Sequence, residues 1–178
     1  MQQVSRQHQN ILNLNEKFMK VILRNIEKKD NKEIADLIRA VFVEFKIKQA
    51  GTVYSDPTTD ELYELFRTPG SIYWIAEENR KIIGGCGIFP TQGLPEGCAE
   101  LVKLYLLSEH RGKGTGLQLL ERCIESAKSL GYKQLYLESF PELSKAIRLY
   151  EKAGFRFIPG AIGNSGHTSC NIWMLKDI

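Results

Sequence analysis

At 178 residues the chain suits a single domain, large enough to bury a substantial core. Its hydrophobic share of 43% and charged share of 25% are those of an ordinary globular protein, and a formal net charge of +3 is too small to point to nucleic acid. No apolar run is long enough to cross a bilayer, and the Gln- and Asn-rich start, with Arg6 and His8, has no hydrophobic segment leading to a small-residue cleavage site.

In chain order, residues 1–18 are polar and read as a flexible N-terminal extension, with one domain over residues 19–178. Residues 21–26 are rich in β-branched side chains and suit a first strand. Residues 31–45 form the clearest amphipathic helix, with Ile34, Leu37, Ile38, Val41, Phe42 and Phe45 on one stripe. After a loop over 49–57, Thr58-x-x-Glu61 has capping-box form and opens a second helix that stops before Pro69-Gly70. Residues 71–76 and 81–89 read as an antiparallel hairpin turning at Asn79. Gly84, Gly85 and Gly87 lie inside a strand with no helix after them, which points to a bulge or close backbone approach.

A long fourth strand over 98–107 leads through Ser108-Glu109-His110 into Arg111-Gly-Lys-Gly-Thr-Gly116, and from Leu117 the pattern turns helical, with Leu117, Leu120, Ile124 and Ala127 on one face. Gly131 stops that helix. A fifth strand spans 133–139. Ser139-Phe-Pro-Glu142 then reads as a second capping box before a helix carrying Tyr150, and closing strands follow at 155–158 and 168–175. The expected architecture is α/β, a mixed sheet of about seven strands with helices on both faces. Cys86, Cys98, Cys123 and Cys170 lack metal-ligand spacing and read as reduced thiols of a cytoplasmic protein, with no metal expected. His110 is expected to cap or solvate its turn, and His167 has no visible partner.

The strand, glycine turn and helix start around residue 112 together make an anion site. The first N–H groups of a helix lack intrahelical partners, the macrodipole favours negative charge there, and Arg111 and Lys113 add cations. The segment is not a P-loop, because it lacks the length and the terminal Lys-Ser/Thr pair; Leu117 occupies the place of the third glycine in a dinucleotide fingerprint. What it does match is Arg111-x-x-Gly114-x-Gly116 after a strand. This resembles the acyl-CoA pyrophosphate loop, [Q/R]-x-x-G-x-[G/A], of the GNAT superfamily of N-acetyltransferases. Ala146-Ile-Arg-Leu-Tyr-Glu-Lys-Ala-Gly-Phe155 resembles the family's second signature, A-x-x-L-Y-x-x-x-G-F, and the likeness spans residues 20–176.

The resemblance implies an acyl-CoA-dependent N-acetyltransferase with acetyl-CoA as cosubstrate, passing the acetyl group directly to a primary amine of a small molecule, peptide or protein. It implies a gap between the fourth and fifth strands that takes the pantetheine. Leu104 and Leu106 would offer backbone contacts, and Arg111, Gly112, Lys113, Gly114, Thr115 and Gly116 would bind the phosphates. Tyr150 would be the general acid facing the sulfur, and Glu100 the carboxylate that accepts the amine's proton, with Glu138 and Glu142 near the acceptor mouth. Leu143 stands where relatives carry an asparagine, so Ser144 is the expected substitute contact. The first two helices would border the acceptor, and the closing strands join dimer interfaces in relatives, which makes a homodimer one expectation. A CoA-binding sensor without turnover, or a transferase of another acyl group, are the competing readings.

Overall fold

The computed structural model describes residues 21–178, so the extension expected over residues 1–18 lies outside the described residues. Seven strands, β1 (Ile22–Asn25), β2 (Ile72–Glu78), β3 (Lys81–Phe89), β4 (Cys98–Leu106), β5 (Gln134–Ser139), β6 (Arg156–Phe157) and β7 (Ile172–Asp177), lie in the order β1-β2-β3-β4-β5-β7-β6. Every neighbouring pair is antiparallel except β4 and β5, which are parallel. Among the described residues four α-helices, α1 (Asn31–Glu44), α2 (Leu62–Leu65), α3 (Thr115–Ser129) and α4 (Ser144–Lys152), join the sheet in the mixed α/β fold that the sequence leads one to expect.

The helices take opposite faces of the sheet. α1 buries Ile34, Ala35, Leu37, Ile38, Val41 and Phe42 against a cluster that includes Tyr73, Ile75, Ile82 and Tyr105. α3 buries Leu119, Leu120, Cys123 and Ala127 against Ile83, Ile88, Leu101 and Leu135 on the other side. That register differs from the expected stripe: Leu117 is 42% exposed, because the sheet takes the face through 119, 120, 123 and 127 and leaves position 117 on the flank.

The two expected capping boxes are also corrected. Asp56, not Thr58, caps the 3-10 turn Pro57–Glu61 that precedes α2, accepting from the Thr58 amide with Pro57 pre-set in the first turn. Ser139 stays in β5, paired with Ile172, and Phe140 precedes the 3-10 turn Pro141–Leu143 without a side-chain cap. Residues 168–171 are not strand. β5 ends at Ser139, and Ser169 instead ties back to the 50–51 loop through bonds from its amide to Gly51 and from its hydroxyl to Ala50.

Two features of the sheet position the site. Asn79 and Arg80 both adopt left-handed φ angles of 53° and 64°, the twist that lets β2 return directly as β3. Further along, the β3–β4 register slips between Gly85 and Gly87, opposite Lys103 at φ 54°. The glycines allow this approach: a Cβ on Gly84 would stand 2.5 Å from the Tyr105 carbonyl oxygen, and one on Gly85 would stand 2.6 Å from the Tyr73 ring. The Tyr73 hydroxyl donates to the Lys103 carbonyl at 3.0 Å and holds the bulge in place.

Candidate active site

β4 and β5 pair only at Cys98–Gln134, Ala99–Leu135 and Glu100–Tyr136. Beyond Glu100 the bulged β4 continues to Leu106 and β5 to Ser139 with no further ladder between them, so the sheet opens along a seam. A groove of about 320 Å³ lies at its outer end. Leu104, Leu106, Gly112, Gly114 and Gly116 form one wall, and Leu143, Lys145, Ala146 and Leu149 the other.

The glycine turn that ends this groove is built by backbone preference. Gly112 and Gly114 take φ angles of 74° and 91°, and nothing lies within 4 Å of a Cβ added at either, so conformation rather than space requires glycine there. α3 begins at Thr115 with Gly114 as N-cap and no side-chain cap, which leaves its first N–H groups for an anion. Gly116 matters for space as well, since a Cβ there would stand 3.3 Å from Leu106 Cδ1 in the groove wall.

Of the expected phosphate-loop contacts, Arg111 lines the groove but is engaged within the fold, while Lys113 and Thr115 lie outside the lining. The Arg111 guanidinium donates to both Glu44 oxygens at 2.6 and 2.8 Å and to the Leu106 carbonyl at 2.9 Å, and lies 4.9 Å over the Phe45 ring. It braces the turn against the end of α1. Lys113 is exposed and outside the groove lining, and Thr115 is buried beneath the turn. Ser144 is exposed and also outside the lining, whereas its neighbour Lys145 is part of it.

At the inner end of the seam, a constriction of about 40 Å³ is lined by Glu100, Lys103, Glu138, Tyr150, His167 and Cys170. It shares Leu104, Tyr105 and Leu143 with the groove, and Glu100, Val102, Lys103 and His167 with a third and larger cavity. That cavity, of about 530 Å³, lies between the 51–58 loop, the end of β3, β4 and the 164–167 loop. Two chambers therefore meet beside Glu100 and Tyr150.

Glu100 is 4% exposed. Burial pushes its carboxyl up from 4.5 to about 7; the Thr91 hydroxyl, which donates to it, pulls the other way, the Glu138 charge adds to the rise, and Lys103 opposes it more weakly. Burial raises the Tyr150 phenol well above its ordinary range and keeps it a proton donor, and its ring packs on Phe155 at 5.9 Å between centroids. Glu138 accepts from the Tyr136 hydroxyl at 2.7 Å and the Ser165 hydroxyl at 2.9 Å, tying the 164–167 loop to β5. Glu142 is exposed and lies outside the constriction. Among the described residues, no group of three His, Cys, Asp or Glu side chains stands close enough to hold a metal ion, and no helix is long and apolar enough to cross a membrane.

A cluster in the larger cavity was not visible in the sequence. His167, which had no apparent partner, places Nε2 3.1 Å from Asp56 Oδ2, and Lys103 Nζ stands 3.8 Å from the same oxygen. The His167 contact, with Thr58 assisting against burial, holds the Asp56 carboxyl well below the usual carboxylate range. Burial lowers the Lys103 ammonium. His110, in contrast, lies 3.5 Å from Glu78 and away from these cavities.

A seven-stranded mixed sheet, opened between two parallel strands and flanked by an uncapped helix start and a buried carboxylate, defines the class to which the sequence motifs pointed. The chain belongs to the GNAT acetyltransferase family, whose sequence profile matches residues 34–155. It is 38% identical over 158 residues to the N-acetyltransferase YjgM of Escherichia coli (strain K12), covering 88% of this chain and 95% of that protein. Human N-acetyltransferase 8 is 29% identical over 119 residues, covering 63% of this chain and 52% of that one. Among solved structures, a GNAT-family acetyltransferase from Staphylococcus aureus Mu50 superposes with a TM-score of 0.78 at 19% identity, covering 89% of this chain and 99% of that one. The PaiA N-acetyltransferase from Thermoplasma acidophilum, solved in complex with coenzyme A, gives 0.70 at 20% identity over 90% and 100% of the two chains.

Proposed function

We propose that residues 19–178 form one acetyltransferase domain that uses acetyl-CoA and transfers the acetyl group directly to a primary amine. The observation that carries this reading is the meeting of the groove and the larger cavity at a buried carboxyl whose pKa is about 7, with a protonated tyrosine across the same constriction. The groove fits a phosphorylated pantetheine. One end offers uncapped helix N–H groups behind glycines in left-handed conformations, and the walls are mainly aliphatic. Bound acetyl-CoA would supply an electrophilic thioester carbonyl.

The chain's own residues then have distinct tasks. The unpaired edge of β4 around Leu104 lines the pantetheine arm, and Gly112, Gly114 and Gly116 leave the phosphates access to backbone amides. Glu100 takes a proton from the acceptor ammonium, directly or through water. With a pKa near 7 it is close to half ionised at neutral pH, which suits a general base. Tyr150, kept protonated by burial, gives a proton to the departing thiolate. Direct transfer is supported by the cysteines: burial raises Cys86, Cys98 and Cys170, so none of these is a ready thiolate nucleophile.

The test is release of CoA thiol from acetyl-CoA against a panel of primary amines, with acetyl-CoA binding measured separately by calorimetry. The wild-type kcat/KM should rise with pH through about 7 as Glu100 ionises. Glu100→Gln should lose this limb and roughly 10²- to 10⁴-fold in rate, and Tyr150→Phe should lower kcat with acetyl-CoA affinity unchanged. A protein that does not bind acetyl-CoA, or a Glu100→Gln variant with the wild-type pH profile, would refute the assignment.

A further inference from the structure

The larger cavity contains a cation that the transfer chemistry above does not use. The Lys103 side chain is 4% exposed, yet its ammonium is 3.8 Å from the nearest carboxylate, beyond hydrogen-bond reach. That carboxylate, Asp56, is already engaged: it accepts from the Thr58 amide at 2.9 Å, from the Thr58 hydroxyl at 2.8 Å, and contacts His167 at 3.1 Å. Asp56 and Glu100 both act on it through space, but neither stands within hydrogen-bond reach, so an ammonium that opens into this cavity gains from a group that completes its shell.

The backbone is built to put it there. Strict alternation along β4 would send Glu100 and Val102 to one face and Lys103 to the other. The left-handed φ of 54° at Lys103, held by the Tyr73 bond to its carbonyl, brings Lys103 into the same cavity wall as Glu100 and Val102. A non-glycine residue in that conformation is strained and is retained only where its surroundings enforce it. The outcome is a base and a cation three positions apart on one strand, facing a cavity with Ser55, Thr58, Gln92 and Asn164 in its walls.

We infer that the acceptor is a small amino-acid-like molecule, in which Lys103 binds the carboxylate while Glu100 receives the proton of the adjacent amine. This rests on the transferase reading above and specifies its acceptor. The 530 Å³ of space takes an amino acid with a sizeable side chain. A free carboxylate beside the reacting amine gives Lys103 the charge-assisted bond it lacks. A peptide N-terminus or a simple alkylamine has no such group, so both are discriminated against by leaving the buried ammonium unpaired.

The test uses matched probes: L-methionine, L-methioninamide and 3-(methylthio)propylamine, with the phenylalanine, phenylalaninamide and phenethylamine set beside them. Binding to the full chain saturated with CoA is measured by calorimetry, so the answer does not require turnover. The acid of each set should bind roughly 10- to 100-fold more tightly than its amide or amine. Lys103→Met should bring that ratio towards one, and Lys103→Arg should keep a preference for the acid. A merely structural role for Lys103 would weaken all three probes alike and leave the ratio intact. Equal binding of acid, amide and amine by wild type, no binding by either acid, or an unchanged ratio in Lys103→Met overturns the inference. A protein that acetylates amines and amides as well as acids remains a transferase and loses only this assignment, whereas failure to bind CoA removes both.

Discussion

Replacing Glu100 by glutamine should stabilise the free protein at alkaline pH while disabling it. The carboxyl is 4% exposed, and burial lifts it from 4.5 to about 7. Between those values the unfolded chain releases the proton and the folded chain keeps it, so the folded state loses stability as pH rises and the loss is complete above about 7. The displacement corresponds to about 3 kcal/mol of penalty for holding the ionised carboxylate in the fold. Glutamine keeps the side chain's length and an oxygen to accept from Thr91, but cannot ionise. Relative to wild type, Glu100→Gln should therefore gain about 2.5 kcal/mol on going from pH 5 to pH 8, because a small part of the penalty is already present at pH 5, whatever constant offset the substitution brings. Urea unfolding at pH 5, 6, 7 and 8 in the absence of acetyl-CoA reads this directly, and at pH 8 the melting temperature should move up by roughly 6–10 °C relative to the difference at pH 5. A stability difference that is the same at pH 5 and pH 8 would mean that the carboxylate is comfortably ionised in the fold and would refute its role as a base poised near neutrality.

Two further substitutions probe the glycines that shape the seam. Gly114→Ala meets no atoms but forces a Cβ onto a φ of 91°, so it should cost about 1–2 kcal/mol and weaken coenzyme A binding more than Gly116→Ala, as urea unfolding and calorimetry will show. Gly84→Ala places a Cβ 2.5 Å from the Tyr105 carbonyl and against Leu106, where backbone cannot give way; it should cost about 3 kcal/mol in urea unfolding, and a loss below about 0.5 kcal/mol would refute the close approach of β3 and β4.

The sequence by itself determined the order of elements, the sheet with helices on both faces, the glycine turn and the two signatures that mark the family. Each of these is written in local terms, as hydrophobic period along a strand or helix, or as glycines at fixed offsets before a helix start. Glu100 and Tyr150 were legible in the same way, since each stands at a set position in a recognisable segment, and the structure brings both to one constriction. Tertiary packing alone decided the rest. Arg111 reads locally as a phosphate cation, but Glu44 lies 67 positions away in the chain and only the packing of α1 against the turn joins them. His167 finds Asp56 across 111 positions. Leu117 fits the helical stripe equally well until the sheet chooses which face of α3 to cover. Lys103 faces the larger cavity only because a bulge breaks the alternation of β4, and that bulge depends on Tyr73 and the glycines of the neighbouring strand. Periodicity reports what a residue shares with neighbours three or four positions away; the partners of a buried charge are chosen by whichever distant segments the closed fold sets beside it.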